Sequence, residues 1–126
     1  MEGLARFAAD VHIGGAGFTG LGAFSAATLA YFDVETRRYV EIPVAEQAEV
    51  LSLSGDISLE SGAPKVHAHA VLGFRDGSVR GGHLMRAQVR PTLEVVLTET
   101  DRTLRRKYDP ASGLALIDLS IPEEAR

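Results

Sequence analysis

The stretch Leu51-Ser52-Leu53-Ser54-Gly55-Asp56-Ile57-Ser58-Leu59 decides the fold, because Leu51, Leu53, Ile57 and Leu59 alternate with Ser52, Ser54, Asp56 and Ser58 about Gly55. A period of two marks a half-buried strand, one face on a core and the other polar. Ser61-Gly62-Ala63-Pro64 then supplies a turn, residues 65–74 a second strand, and Asp76-Gly77 a hairpin signal before Val79 and Gly81-Gly82-His83. Upstream, residues 16–32 are rich in Gly, Ala, Thr and aromatics, which predicts closely packed strands broken near Gly20 to Gly22. Residues 33–37 read as a turn and 39–44 as a strand whose Pro43 favours an edge. Downstream, the Val- and Leu-rich residues 92–99 form another strand. Tyr108-Asp109-Pro110 and Ser112-Gly113 are turn chemistry, and residues 114–119 make a short final strand. Residues 3–12 instead place Leu4, Phe7, Ala8 and Val11 at helical spacing, with Gly14-Gly15 as the stop. Strands joined by short turns, with little helix between them, predict an α+β fold: a mainly antiparallel sheet with a packed N-terminal helix.

A chain of 126 residues suits one domain, taken as 1–126. No apolar run is long enough to cross a bilayer. The opening MEGLARFAAD carries Glu2 and no long apolar segment behind a basic cluster, so it does not read as a secretory signal, and a cytoplasmic location is expected. With no cysteine, disulfides and thiolate metal sites are excluded, leaving His, Asp and Glu as the strong metal ligands. A formal net charge of -4 argues against non-specific nucleic-acid binding, which rests on basic side chains displacing phosphate counterions. Arg102, Arg105, Arg106 and Lys107 are a basic cluster that at helical spacing would form a cationic ridge; beside Glu99, Asp101 and Asp109 it also reads as a solvated surface segment.

Three of the four histidines, His67, His69 and His83, fall within seventeen residues. Residues two apart on a strand share a face, so His67 and His69 project together while Val66, Ala68 and Ala70 face the other way. The Asp76-Gly77 hairpin folds His83 back beside them, and Gly81 and Gly82 permit close backbone approach. Three neutral imidazoles around a divalent ion, with a fourth position open, suit Zn(II). The spacing alone fits equally a set of ordinary strand histidines bonded to backbone or to each other. His12, at the end of the helix, stays outside the site. Glu49, on the face of Leu51 and Leu53, is a candidate to be drawn inward, and Glu94 alternates similarly with Leu93 and Val95; both also read as sheet-surface carboxylates, and neither is assigned a catalytic role. Gly14-Gly15-Ala16-Gly17 and Gly20-Leu21-Gly22 fit neither a phosphate loop nor a dinucleotide fingerprint and read as close-packing glycines. Ser52 and Ser54 have no nucleophile-elbow setting.

Gly20-Leu21-Gly22-Ala23-Phe24-Ser25 through Thr28-Leu29-Ala30-Tyr31-Phe32-Asp33 resembles the plants-and-prokaryotes-conserved (PPC) domain family. So do Glu49-Val50-Leu51-Ser52-Leu53-Ser54-Gly55, Lys65-Val66-His67-Ala68-His69-Ala70, Gly81-Gly82-His83-Leu84 and Glu94-Val95-Val96-Leu97-Thr98-Glu99. The resemblance implies an α+β fold similar to that of acetolactate decarboxylase, assembly as a homotrimer, and a metal at the H-x-H and G-G-H histidines, here His67, His69 and His83. Nothing like the AT-hook of plant members occurs, so their DNA binding does not carry over. Many prokaryotic members begin with a strand ahead of the helix, whereas this sequence starts almost at the helix, which implies either a truncated start or a missing edge strand. The function that follows is a zinc-containing oligomeric module binding a small ligand or a protein. The alternatives are a zinc-dependent lyase or hydrolase using the open position, and weak DNA binding through the arginines.

Overall fold

The structure, a computed structural model, describes residues 1–121. One helix, α1 (Glu2–Asp10), precedes seven strands: β1 (Ala16–Asp33), β2 (Arg38–Val44), β3 (Ala48–Glu60), β4 (Ala63–Gly73), β5 (Val79–Glu99), β6 (Arg106–Asp109) and β7 (Leu114–Ile117). The expected α+β architecture is present, and every pairing between these strands is antiparallel. The strand order is β2-β1-β3-β4-β5, and β5 also pairs with β1, so the main sheet closes on itself, while β6 and β7 form a separate hairpin.

Two long strands make that closure possible. β1 has 18 residues, about 55–60 Å of extended chain. The predicted break near Gly20 to Gly22 is a change of register within one continuous strand rather than an end. A bulge adds a residue on one side, bends the strand and keeps its pairing. Gly22 is required there by crowding, since a Cβ on it would collide with the Thr92 backbone. The strand expected at residues 92–99 is likewise the second half of the 21-residue β5, whose first part lies on β4 and whose remainder runs along β1. β2, with Pro43, pairs with β1 alone, as an edge strand should.

Phe24, Leu29, Ile57 and Leu72 are fully buried in the interior, each stabilising the fold by about 1.5–3 kcal/mol. Val66, Ala68 and Ala70 of β4 also face this core, which turns His67 and His69 to the opposite side. Leu51 departs from the alternation: a register shift between Val50 and Ser52 reverses the parity, so Val50 and Leu53 are buried and Leu51 is 52% exposed. Glu49 shares that outward face and Glu94 is also exposed, so of the two readings open for them it is the sheet-surface carboxylate that the structure bears out.

α1 ends earlier than the glycine stop. His12 takes a left-handed φ of 61° and its N–H donates to the Ala9 carbonyl, while Ile13 N–H donates to Ala8, so the helix is closed off at Asp10. Ala8 is buried and Met1, Leu4 and Ala5 pack on the core, whereas Phe7 and Val11, expected on the same stripe, are each 50% exposed. Among the described residues no helix is long and apolar enough to cross a membrane.

Candidate metal centre

The pairing register assembles the site. β4 sets His67 opposite Asp56 of β3, and sets His69 between Ser54 of β3 and His83 of β5. His83 lies where β5 passes from β4 to β1, paired with His69 on one side and Ala30 on the other. Close approach at this crossing explains Gly82, where a Cβ would stand 2.8 Å from the Ala30 carbonyl oxygen. Gly81 makes only ordinary contacts, so one of the two glycines carries the constraint.

The three imidazoles form a nearly equilateral triangle, with ring centroids 5.2 Å apart for His67–His69, 5.2 Å for His67–His83 and 5.5 Å for His69–His83. One nitrogen from each ring lies within 4.8 Å of the other two. A tetrahedral ion with Zn–N bonds of about 2.0–2.1 Å would hold its nitrogens about 3.3–3.4 Å apart, a separation inside that 4.8 Å span. His67 and His83 are half-buried and His69 is exposed.

The electrostatics favour neutral imidazole where a metal needs it. Burial, with the charges of His67, His69 and Lys65, lowers the His83 pKa to about 4. Burial and then His67 lower that of His69. The Nδ1 of His83 is buried without a hydrogen-bond partner, an arrangement that costs free energy unless something else fills the lone pair.

Behind the triangle stands a charged chain that sequence reasoning missed. His67 Nδ1 lies 3.1 Å from Asp56 Oδ2. A carboxylate there fixes the proton on Nδ1 and leaves Nε2 as the free donor atom. Arg106 in turn donates to Asp56 Oδ1 at 2.8 Å, to Ser58 Oγ at 2.7 Å and to the Ala115 carbonyl at 2.8 Å. Burial works against the Asp56 charge, but the hydrogen bonds from His67 and Arg106, the guanidinium charge and Ser58 outweigh it and hold the carboxyl below its usual range. The Arg106 side chain is 9% exposed and sits on a strand. It is therefore part of no helical cationic ridge, because the ion pair with Asp56 draws it inward. The available signal was Asp56 and Ser58 on the polar face of β3, too polar for a covered surface unless a cation covers them.

His67 and His83 also line a half-open cavity of about 520 Å³, together with Tyr39 and residues of the β6–β7 hairpin. Tyr39 packs on His83 with ring centroids 4.8 Å apart. His12, Glu49 and Glu94 do not join the metal-ligand cluster.

Residues 1–101 match the Plants and Prokaryotes Conserved (PCC, also written PPC) domain. Among solved structures, a PPC protein from Pyrococcus horikoshii is 35% identical, with a TM-score of 0.88 over 93% of this chain and 81% of that one. A protein from Archaeoglobus fulgidus described as metal-containing is 36% identical, with a TM-score of 0.85 over 92% of this chain and 82% of the other. A Bacteroides thetaiotaomicron protein, provisionally named DNA-binding, is 29% identical, with a TM-score of 0.90 over 95% and 84% of the two chains. No curated protein matches. The fold, the ordered motifs and these matches agree, and the chain belongs to the Plants and Prokaryotes Conserved domain family.

Proposed function

We propose that the protein holds one divalent ion, zinc, on His67, His69 and His83, and works as an oligomeric cytoplasmic module that binds a small ligand or a protein. The observation that carries this reading is the imidazole triangle with an unpartnered, buried Nδ1 on His83. A neutral all-nitrogen donor set suits Zn(II), and the Asp56–His67 bond is the kind of outer support that orients a metal-ligating imidazole. Bound zinc would polarise a ligand oxygen or a water at its open position. The metal-containing relative from Archaeoglobus fulgidus supports the assignment. X-ray absorption at the zinc edge tests it: three imidazoles plus a light-atom ligand are expected, and a six-oxygen shell would refute it.

The reading extends to the whole chain as one domain, 1–126, because Arg106 and the Leu59 N–H to Leu104 carbonyl bond of 2.7 Å tie the segment beyond residue 101 to β3. A homotrimer is part of the same proposal. Its physical support is outward apolar surface: Leu21 is 61%, Val79 58% and Val96 72% exposed, far from the water-free setting such side chains favour. Light scattering coupled to size exclusion should give a mass of three chains, and a concentration-independent monomer would exclude the trimer. The cavity beside the imidazoles favours a second reading, a zinc-dependent lyase or hydrolase, which turnover of a carbonyl or ester substrate would distinguish.

A further inference from the structure

The cavity between the imidazole triangle and the β6–β7 hairpin joins features that the metal site alone does not need. One wall carries His67 and His83, Lys65 stands at the same strand face, and apolar lining comes from Met85 of β5 and from Leu114 and Leu116 of the β6–β7 hairpin. Tyr39 and Tyr108 supply two further rings. Its volume of about 520 Å³ falls in the range of small-molecule sites, roughly 300–1,000 Å³.

Charge decides what enters. Three neutral imidazoles leave the charge of a divalent ion uncompensated, whereas Asp56 and Arg106 neutralise each other at 2.8 Å. The guanidinium, which also lines the cavity, gives three of its N–H groups to Asp56, Ser58 and Ala115 and has its charge offset by Asp56, so it adds little net charge for an incoming anion. Lys65 is different: its ammonium pairs only loosely with Glu60, at 3.5 Å, and its side chain is 59% exposed. An anion arriving at the ion would therefore find a cation that has only a 3.5 Å pair with Glu60, also in the cavity lining, to exchange for it. The apolar lining of Met85, Leu114 and Leu116 disfavours a small, strongly hydrated dianion and favours a single negative charge on an apolar body.

We infer that this cavity binds a small organic carboxylate, its carboxylate directed to the metal-bearing histidines and Lys65, and its apolar or aromatic body laid against Met85, Leu114 and Leu116. This rests on the metal reading above. The test uses full-length protein loaded with Co(II), whose visible spectrum reports both the imidazole site and any ligand entering it. Benzoate, acetate and inorganic phosphate are titrated separately. Benzoate is expected to shift the spectrum and to bind at least about tenfold more tightly than acetate or phosphate, since its ring adds apolar contact. Lys65→Met should weaken benzoate about five- to tenfold. Leu116→Arg, on an exposed strand position, should erase the preference for benzoate over acetate. A cobalt spectrum that benzoate leaves unchanged, or equal affinity for benzoate and acetate, overturns the carboxylate inference and leaves the metal site standing. Benzoate affinity unaffected by Lys65→Met overturns the assigned orientation. Failure to bind Co(II) at all overturns both readings.

Discussion

Replacing Asp56 by asparagine separates the support of the site from its ligands. The carboxylate makes a 3.1 Å bond with His67 Nδ1 and a 2.8 Å ion pair with Arg106. An amide of the same shape can place either its oxygen or its NH2 toward His67, so the tautomer that leaves Nε2 free is no longer enforced. Loss of such an outer carboxylate lowers metal affinity about 10–100-fold, or about 1.4–2.7 kcal/mol. The fold should suffer as well, because a guanidinium that is 9% exposed loses its counter-charge while keeping Ser58 and Ala115 as acceptors. That loss is about 2–3 kcal/mol, less than the removal of a fully buried partner. Competition for zinc against a chromophoric chelator gives the affinity, and urea unfolding of the metal-free protein gives the stability. Arg106→Met is the matched control. It destabilises the fold similarly, yet it leaves the Asp56–His67 bond and should reduce zinc affinity much less. Equal zinc affinities for Asp56→Asn and the wild type would refute the orienting role, as would equal losses in both variants.

Further outcomes follow from the same geometry. The folded pKa of His83 is depressed to about 4, below the unfolded value near 6.5, and that of His69 is lowered too. Between those two pH values the unfolded chain binds more protons, so this contribution to the stability of metal-free protein is complete above about pH 6.5 and is lost as the pH falls toward 4. Urea midpoints across this range should show the decline, and His83→Asn should flatten it. Gly82→Ala drives a methyl against the Ala30 carbonyl at 2.8 Å and should destabilise the protein by about 1–3 kcal/mol while displacing His83, seen as a lower melting temperature and weaker zinc binding. Any affinity for duplex DNA should vanish at moderate salt, given a net charge of -4 and an Arg106 held inward by Asp56. A filter-binding titration showing tight binding at physiological salt would contradict that.

The site was legible where short-range rules apply. Side-chain parity on one strand places His67 with His69, and the Asp76-Gly77 turn fixes the register that returns His83 to His69. The core face of β4 follows from the same parity. Parity fails at bulges, because an inserted residue reverses every later side chain; Leu51 is turned outward and Gly20 to Gly22 bends a strand instead of ending it. Closure of the sheet through β1 and β5 has no local mark either, since it depends on which distant strand meets a long one. The Arg106–Asp56 contact spans 50 residues, and a basic run in isolation looks solvated. What betrays it is the demand of Asp56 and Ser58 for a partner once β3 is covered.

The central claim is that His67, His69 and His83 together hold a metal, and the stoichiometry of zinc in reconstituted, extensively dialysed protein tests it most directly. Elemental analysis should find one ion per chain in the wild type and occupancy reduced at least about tenfold in His69→Ala, whose exposed ring can be removed without opening the core. No zinc in the wild type, or full occupancy in His69→Ala, would contradict it.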